Sequence, residues 1–190
     1  MSRSAHAVAV RLVVIVAAIA SVVCFAAENG EAALERRVKA VFVSKFASYV
    51  EWPASTFSDS GSPIVIGVAG AEPLAEELEQ AIAGRVIGER TIRVRRLGSL
   101  EPIGNCCQIV FVGRGVDRAR ASEMLSATQG KPVLTVTENE IGQQQGSVIN
   151  FLAADGRIRF DISRDAADRN GLRLSSQLLG VARHVKATTQ

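Results

Sequence analysis

Three short runs with the makeup of buried strands, Ile64–Val68, Gln108–Val112 and Val133–Thr137, alternate along the chain with segments whose apolar residues recur at helical spacing. Strands that are apolar almost throughout are covered on both faces, which is the situation of a parallel sheet. Strand–helix alternation implies the same sheet, with right-handed crossovers laying helices on its faces. The first helical segment runs from about Ala33 to Val50. Leu34, Val38, Val41, Phe42 and Tyr49 share a face that Val43, Phe46 and Val50 widen. It ends before Trp52-Pro53, because a residue preceding proline is pushed out of the α region. A second helix opens at Gly70-Ala71-Glu72-Pro73, continues through Leu74, Leu78 and Ile82, and closes at Gly84. Thr91–Arg95 alternates polar and apolar residues, as a strand with one wet face does. A third helix is expected from about Val116 to Thr128.

After Thr137 the pattern changes. Ser147–Ala153 and Arg157–Ile162 both read as strands, and Ala154-Asp155-Gly156 joins them. Asp-Gly between two such runs signals a hairpin. Ser163 is placed to cap a helix over Arg164–Arg169, and Gly171 to end it. Ser175-Ser176 starts a last helix with Leu178, Leu179, Val181, Ala182 and Val185 on its apolar face and His184 in its last turn. The expected fold is α/β: one domain over residues 33–186, a mostly parallel twisted sheet flanked by helices, Rossmann-like in outline, with a C-terminal β-hairpin. No internal repeat, low-complexity tract or long linker divides it.

The N-terminus bounds the compartment. Arg3 and Arg11 precede an uncharged apolar stretch, Leu12–Val23, and Cys24 and Ala26 fit a small-x-small cleavage site. Residues 1–26 therefore read as a signal peptide cut near Ala26, which places the mature chain outside the cytosol. The stretch is short of the roughly 20 residues that span a bilayer as a helix. The alternatives are an uncleaved anchor and a lipoprotein with Cys24 lipidated, and Val23 fits the latter poorly. Two of the 22 basic residues and none of the 19 acidic ones lie in residues 1–26, leaving 20 against 19, a net charge of +1. A near-neutral chain carries no electrostatic footprint for nucleic acid.

Cleavage leaves two adjacent cysteines, Cys106 and Cys107, in a compartment that permits disulfides. Adjacent cysteines rarely bridge each other, since their Cα atoms lie about 3.8 Å apart and the favoured span is wider. On a strand they would face opposite sides of the sheet. The plainest reading keeps both buried and reduced. The other leaves Cys106 or Cys107 exposed and able to pair between chains.

Little else suggests chemistry. His184 is the mature chain's single histidine, no Gly-x-Ser-x-Gly elbow is present, and the carboxylates are scattered, so no catalytic residue, metal site or cofactor is expected. Gly67-Val68-Ala69-Gly70 and Gly113-Arg114-Gly115 each follow a strand and precede a helix. Both belong at the carboxyl edge of the sheet, where open α/β folds take ligands. Gly67, Gly70, Gly113 and Arg114 are thus candidates for a small anion, although neither loop has the full dinucleotide pattern or a Walker lysine. Their plainer role is an ordinary strand-to-helix turn. Arg90, Arg93, Arg95 and Arg96 form either a patch for an acidic partner or a charged edge strand guarded against aggregation.

Several segments together resemble a known family. They are "VKAVFVSKFASYVEWP", "IVIGVAGAEPLAEEL", "CQIVFVG", "GKPVLTVTE" and the closing "GSVINFLAADGRIRFDISRDAADRNGLRLSSQLLGVARHV". The chain is similar to the YfiR family, the domain-of-unknown-function 4154 group, from about Ala33 to Val185. That resemblance implies a compact α/β domain that is not an enzyme. It implies a periplasmic repressor that binds the periplasmic domain of an inner-membrane diguanylate cyclase and is sequestered by an OmpA-like outer-membrane lipoprotein, with homodimers known in the family. Partner contacts are expected at Asn150 and Phe151 or around Arg183, although Phe151 on a strand suits a core equally. The alternative function is a periplasmic small-ligand sensor using the two glycine loops. Relatives carry disulfides, one of them near the first strand turn. Here Ala69–Ala71 hold no cysteine, and Gln143–Gln145 fill the later loop. Many relatives also have Asn where Ser163 stands.

Overall fold

The structure is a computed structural model that describes residues 30–98, 103, 106–138, 142, 144–154 and 156–187. The expected signal peptide, residues 1–26, lies outside the described residues, as do Asp155 and Gln143. Helix α1 spans residues 30–49, and its part from Arg37 onward belongs to the compact unit that holds every other element.

The elements that follow are β1 (Val50–Glu51), β2 (Ile64–Ala69), α2 (Glu72–Ile82), β3 (Val86–Ile87), β4 (Arg90–Arg96), β5 (Ile109–Val112) and α3 (Arg118–Thr128). Then come β6 (Leu134–Thr137), β7 (Ile149–Ala154), β8 (Arg157–Ser163), α4 (Arg164–Arg169), β9 (Arg173–Leu174), α5 (Ser176–Val181) and β10 (His184–Lys186). Among the described residues the main sheet is ordered β10-β8-β7-β6-β5-β2-β4-β3. Its centre, β4 through β7, is parallel. The β7–β8 hairpin turns antiparallel, with Asn150 opposite Asp161 and Phe151 opposite Phe160.

The period-2 alternation of β5 shows why both faces are apolar. Ile109 and Phe111 enter one cluster with α1, α2 and the hairpin. Val110 and Val112 enter a second with Ala121 and Met124 of α3. Phe42 and Phe46 of α1 meet Phe160 edge-on at 5.4 and 5.2 Å between centroids, and Phe151 lies beside them, 5.9 Å from Phe46. Truncating a buried ring of this kind costs about 3–5 kcal/mol.

Local signals set several boundaries. Asp117 caps α3 by accepting from the Arg120 N–H, and Ser163 caps α4 by accepting from the Ala166 N–H. Gly171, at φ 66°, ends α4 with Leu172 N–H donating to the Ala167 carbonyl at 2.9 Å, a Schellman closure. The last helix differs from expectation. It stops at Val181, and Ala182 is extended. His184 and Val185 belong to β10, parallel to β8 with His184 beside Asp161. The open edge of the hairpin offers backbone partners that another helical turn would forgo.

β4 pairs with β2 from Ile92 to Arg96, but β3 covers only Arg90 and Thr91. Most of its outer side is therefore a sheet edge, and Arg93 and Arg95 are exposed on it. Arg96 pairs with Glu79 at 2.6 Å. Arg90 stacks on Phe57 at 3.8 Å and donates to the Asp59 and Ser62 carbonyls.

Candidate functional site

The carboxyl edge of the parallel strands brings Gly70, Gly113 and Arg114 together. Gly67 lies within β2. Gly70 has φ 60°, and its carbonyl accepts from the Gly115 N–H at 3.0 Å. The Gly113 N–H donates to the Ala69 carbonyl at 2.8 Å. The two loops rest directly on each other, since a Cβ at Gly113 would stand 2.6 Å from the Gly70 oxygen. The Arg114 N–H donates to Glu138 Oε1 at 3.1 Å, and its Nε to the Glu138 carbonyl at 3.3 Å. Glu138 Oε2 accepts from Lys39 Nζ at 2.6 Å, and Lys39 is buried. The protein's own carboxylate thus lies between a buried ammonium and a loop amide. An anion entering here has to displace it.

Lys39 and Glu138 were not among the sequence candidates. A signal existed for the lysine, because it shares a helical face with buried Val43 and Phe46, where a lone cation requires a partner.

The second region is built by the hairpin and the C-terminus. Asn150 is buried, and its Oδ1 accepts from Thr137 Oγ1 at 2.7 Å. Across the hairpin, Asp161 accepts two hydrogen bonds from Arg183, from Nε at 2.8 Å and Nη2 at 2.6 Å. Burial pushes the Asp161 carboxyl up. The Arg183 hydrogen bond and charge, joined by the charges of His184 and Lys186, outweigh it and hold the group below its ordinary range. Asn150 and Asp161 therefore sit side by side on one sheet face with Arg183 at the rim.

Phe151 points to the other face. It is 1% exposed, so its ring positions Phe42 and Phe46 rather than reaching the surface. Above that aromatic layer is a groove of about 560 Å³. Phe42, Lys45, Phe46 and Tyr49 of α1 form one wall, Ile158, Arg159 and Phe160 of β8 the floor, and Gln177, Leu178 and Val181 of α5 the other wall. Val181 is 59% exposed. Lys45 and Arg159 are exposed at the rim. The Arg183 N–H donates to the Phe160 carbonyl at 2.9 Å, which fixes the Asp161–Arg183 pair against the end of the groove. The arrangement offers apolar surface edged by positive charge. Among the described residues no group of three or more His, Cys, Asp or Glu side chains converges.

The YfiR/HmsC-like family (DUF4154) matches residues 36–183, and the chain belongs to that family. It is a family of periplasmic regulators of cyclic di-GMP signalling, regulatory rather than enzymatic, whose members generally interact with a membrane diguanylate cyclase. The chain is also similar to a solved structure, a conserved domain protein from Vibrio cholerae O1 biovar El Tor strain N16961. The TM-score is 0.47 at 13% identity, over 64% of this chain and 54% of that one, so the chain spans about half of that protein's length. Among the described residues, no helix is long and apolar enough to cross a membrane.

Proposed function

We propose that this chain represses an inner-membrane diguanylate cyclase by binding the cyclase's periplasmic sensor region at the groove between α1, β8 and α5. The observation that carries the reading is the groove itself: apolar walls, the partly buried rings of Phe42 and Tyr49, and exposed Val181 at its lip. Lys45 and Arg159 suit a segment of the cyclase with apolar side chains and an acidic flank. Arg183 contributes at the end of the groove, and Phe151 and Asn150 support it from within the hairpin. Repression follows if the chain binds the inactive state of the sensor more tightly than the active one, because only differential affinity shifts such an equilibrium. An OmpA-like outer-membrane lipoprotein then relieves repression by competing for the chain.

The test pairs the mature chain with the purified periplasmic domain of a membrane diguanylate cyclase from the same cell, and measures cyclic di-GMP in cells with and without the chain. A complex and a fall in cyclic di-GMP are expected. No complex together with unchanged cyclic di-GMP overturns the proposal.

A further inference from the structure

Cys106 and Cys107 do not lie on a strand. They occupy the turn that leads into β5, and the turn changes their geometry. Instead of facing opposite ways, the two Sγ atoms converge to 2.7 Å. That is well inside the roughly 3.5–4.0 Å at which non-bonded heavy atoms rest against each other. Cys106 is half-buried and Cys107 buried. The Cys107 sulfur sits over β2, where a Cβ on Gly67 would lie 2.7 Å from it and equally close to Leu97. Gly67 therefore leaves the space that the second sulfur occupies. Nothing near the pair competes for it with a metal-type cluster among the described residues.

We propose that Cys106 and Cys107 form a vicinal disulfide within one chain, which makes this turn an oxidation site. The inference depends on the periplasmic location of the family and not on which partner the groove takes. The half-buried Cys106 thiol is the one an oxidant reaches. Its thiolate attacks a disulfide RSSR, a small molecule or a thiol oxidase, releasing one RS⁻ and leaving a mixed disulfide. The Cys107 thiolate then attacks the Cys106 sulfur and expels the second RS⁻. Two thiols become one S–S bond, the two electrons pass to RSSR, and the two protons end on the two RSH products. The adjacent Cα atoms, about 3.8 Å apart, are closer than disulfides favour, so the ring is strained and more readily reduced than a structural bridge. The turn against β2 is thus a reversible redox element.

The experiment uses the mature chain purified from its own compartment without reductant. It is alkylated with N-ethylmaleimide under denaturing conditions, before and after dithiothreitol, and its peptides are weighed. The expected result is no label before reduction, two labels after it, a Cys106–Cys107 peptide lighter by two hydrogens before reduction, and a monomer on a non-reducing gel. Two labels before reduction overturn the proposal, because the pair then stays as thiols. A dithiothreitol-sensitive covalent dimer overturns it in favour of a bond between chains. Glutathione titration supplies a second readout. The wild-type bond should open at a less reducing glutathione ratio than an ordinary structural disulfide does, and resistance to reduction would contradict the strained ring.

Discussion

The carboxyl edge and the α1–β8–α5 groove both bring polar and apolar groups of distant segments together, yet the protein treats them oppositely. At the edge, the Gly113 and Gly115 amides already donate to Ala69 and Gly70, while Lys39 and Arg114 already hold Glu138. The groove carries uncovered apolar surface above a rigid aromatic floor. The difference teaches that glycine loops at the end of a parallel sheet are not in themselves a ligand site. Their donors can be consumed by packing the loops against each other, and a carboxylate of the chain can occupy the anion's place. The proposed partner region is the one whose apolar side chains lack a cover.

Substitutions should separate the two regions. The largest effect is expected at the edge. Lys39→Met removes one partner of a buried pair, and the stranded Glu138 carboxylate should lower stability by about 3 kcal/mol, read by urea unfolding. A near-neutral result would mean that the Lys39–Glu138 contact does not close the edge. Gly70→Ala is next. It imposes a Cβ at φ 60°, 2.6 Å from the Val116 backbone nitrogen, and should cost about 1–3 kcal/mol, visible as a lower Tm.

Arg183→Ala comes third, at about 1 kcal/mol near neutral pH, because the pair is bidentate but its cation is 39% exposed. Its pH signature is more telling. The folded-state pKa of Asp161 is lowered, so its contribution is complete above the ordinary carboxylate value of about 3.9 and is lost as pH falls through the lowered folded value. Without Arg183, burial of the carboxyl is opposed only by the charges of His184 and Lys186, and acid unfolding should begin at higher pH. An unmoved acid limb would show that the pair does not couple to folding. The smallest stability effect is expected for Val181→Glu, within about 0.5 kcal/mol, since that side chain is mostly exposed. The same change should weaken cyclase-domain binding at least about tenfold, or about 1.4 kcal/mol. Weakened binding from Gly113→Ala instead, with Val181→Glu silent, would reverse the assignment of the two regions.

Much of the fold was legible because its strands announce themselves. The runs at β2, β5 and β6 are apolar enough to require cover on both faces, and Asp155-Gly156 placed the β7–β8 hairpin. The tail misled because Leu178, Leu179, Val181, Ala182 and Val185 satisfy helical spacing, whereas the chain leaves the helix to pair with β8, a choice made by tertiary contact. β1, β3 and β9 are two residues long each, too short for any period to show. Of the candidate residues, Gly70, Gly113 and Arg114 were placed at the right edge, whereas Gly67 lies inside β2. Their engagement with Glu138 was hidden because Lys39 and Glu138 are 99 residues apart. The groove was hidden for the same reason: its walls come from three distant segments, and each alone reads as ordinary core. The turn that converges Cys106 and Cys107 was invisible to an argument that assumed a strand.

The most direct test of the account is hydrogen exchange of the mature chain with and without the cyclase's periplasmic domain. Protection confined to residues 42–49, 157–160 and 176–181 is predicted. Protection centred on residues 113–116 and 138, with the groove unchanged, would contradict it.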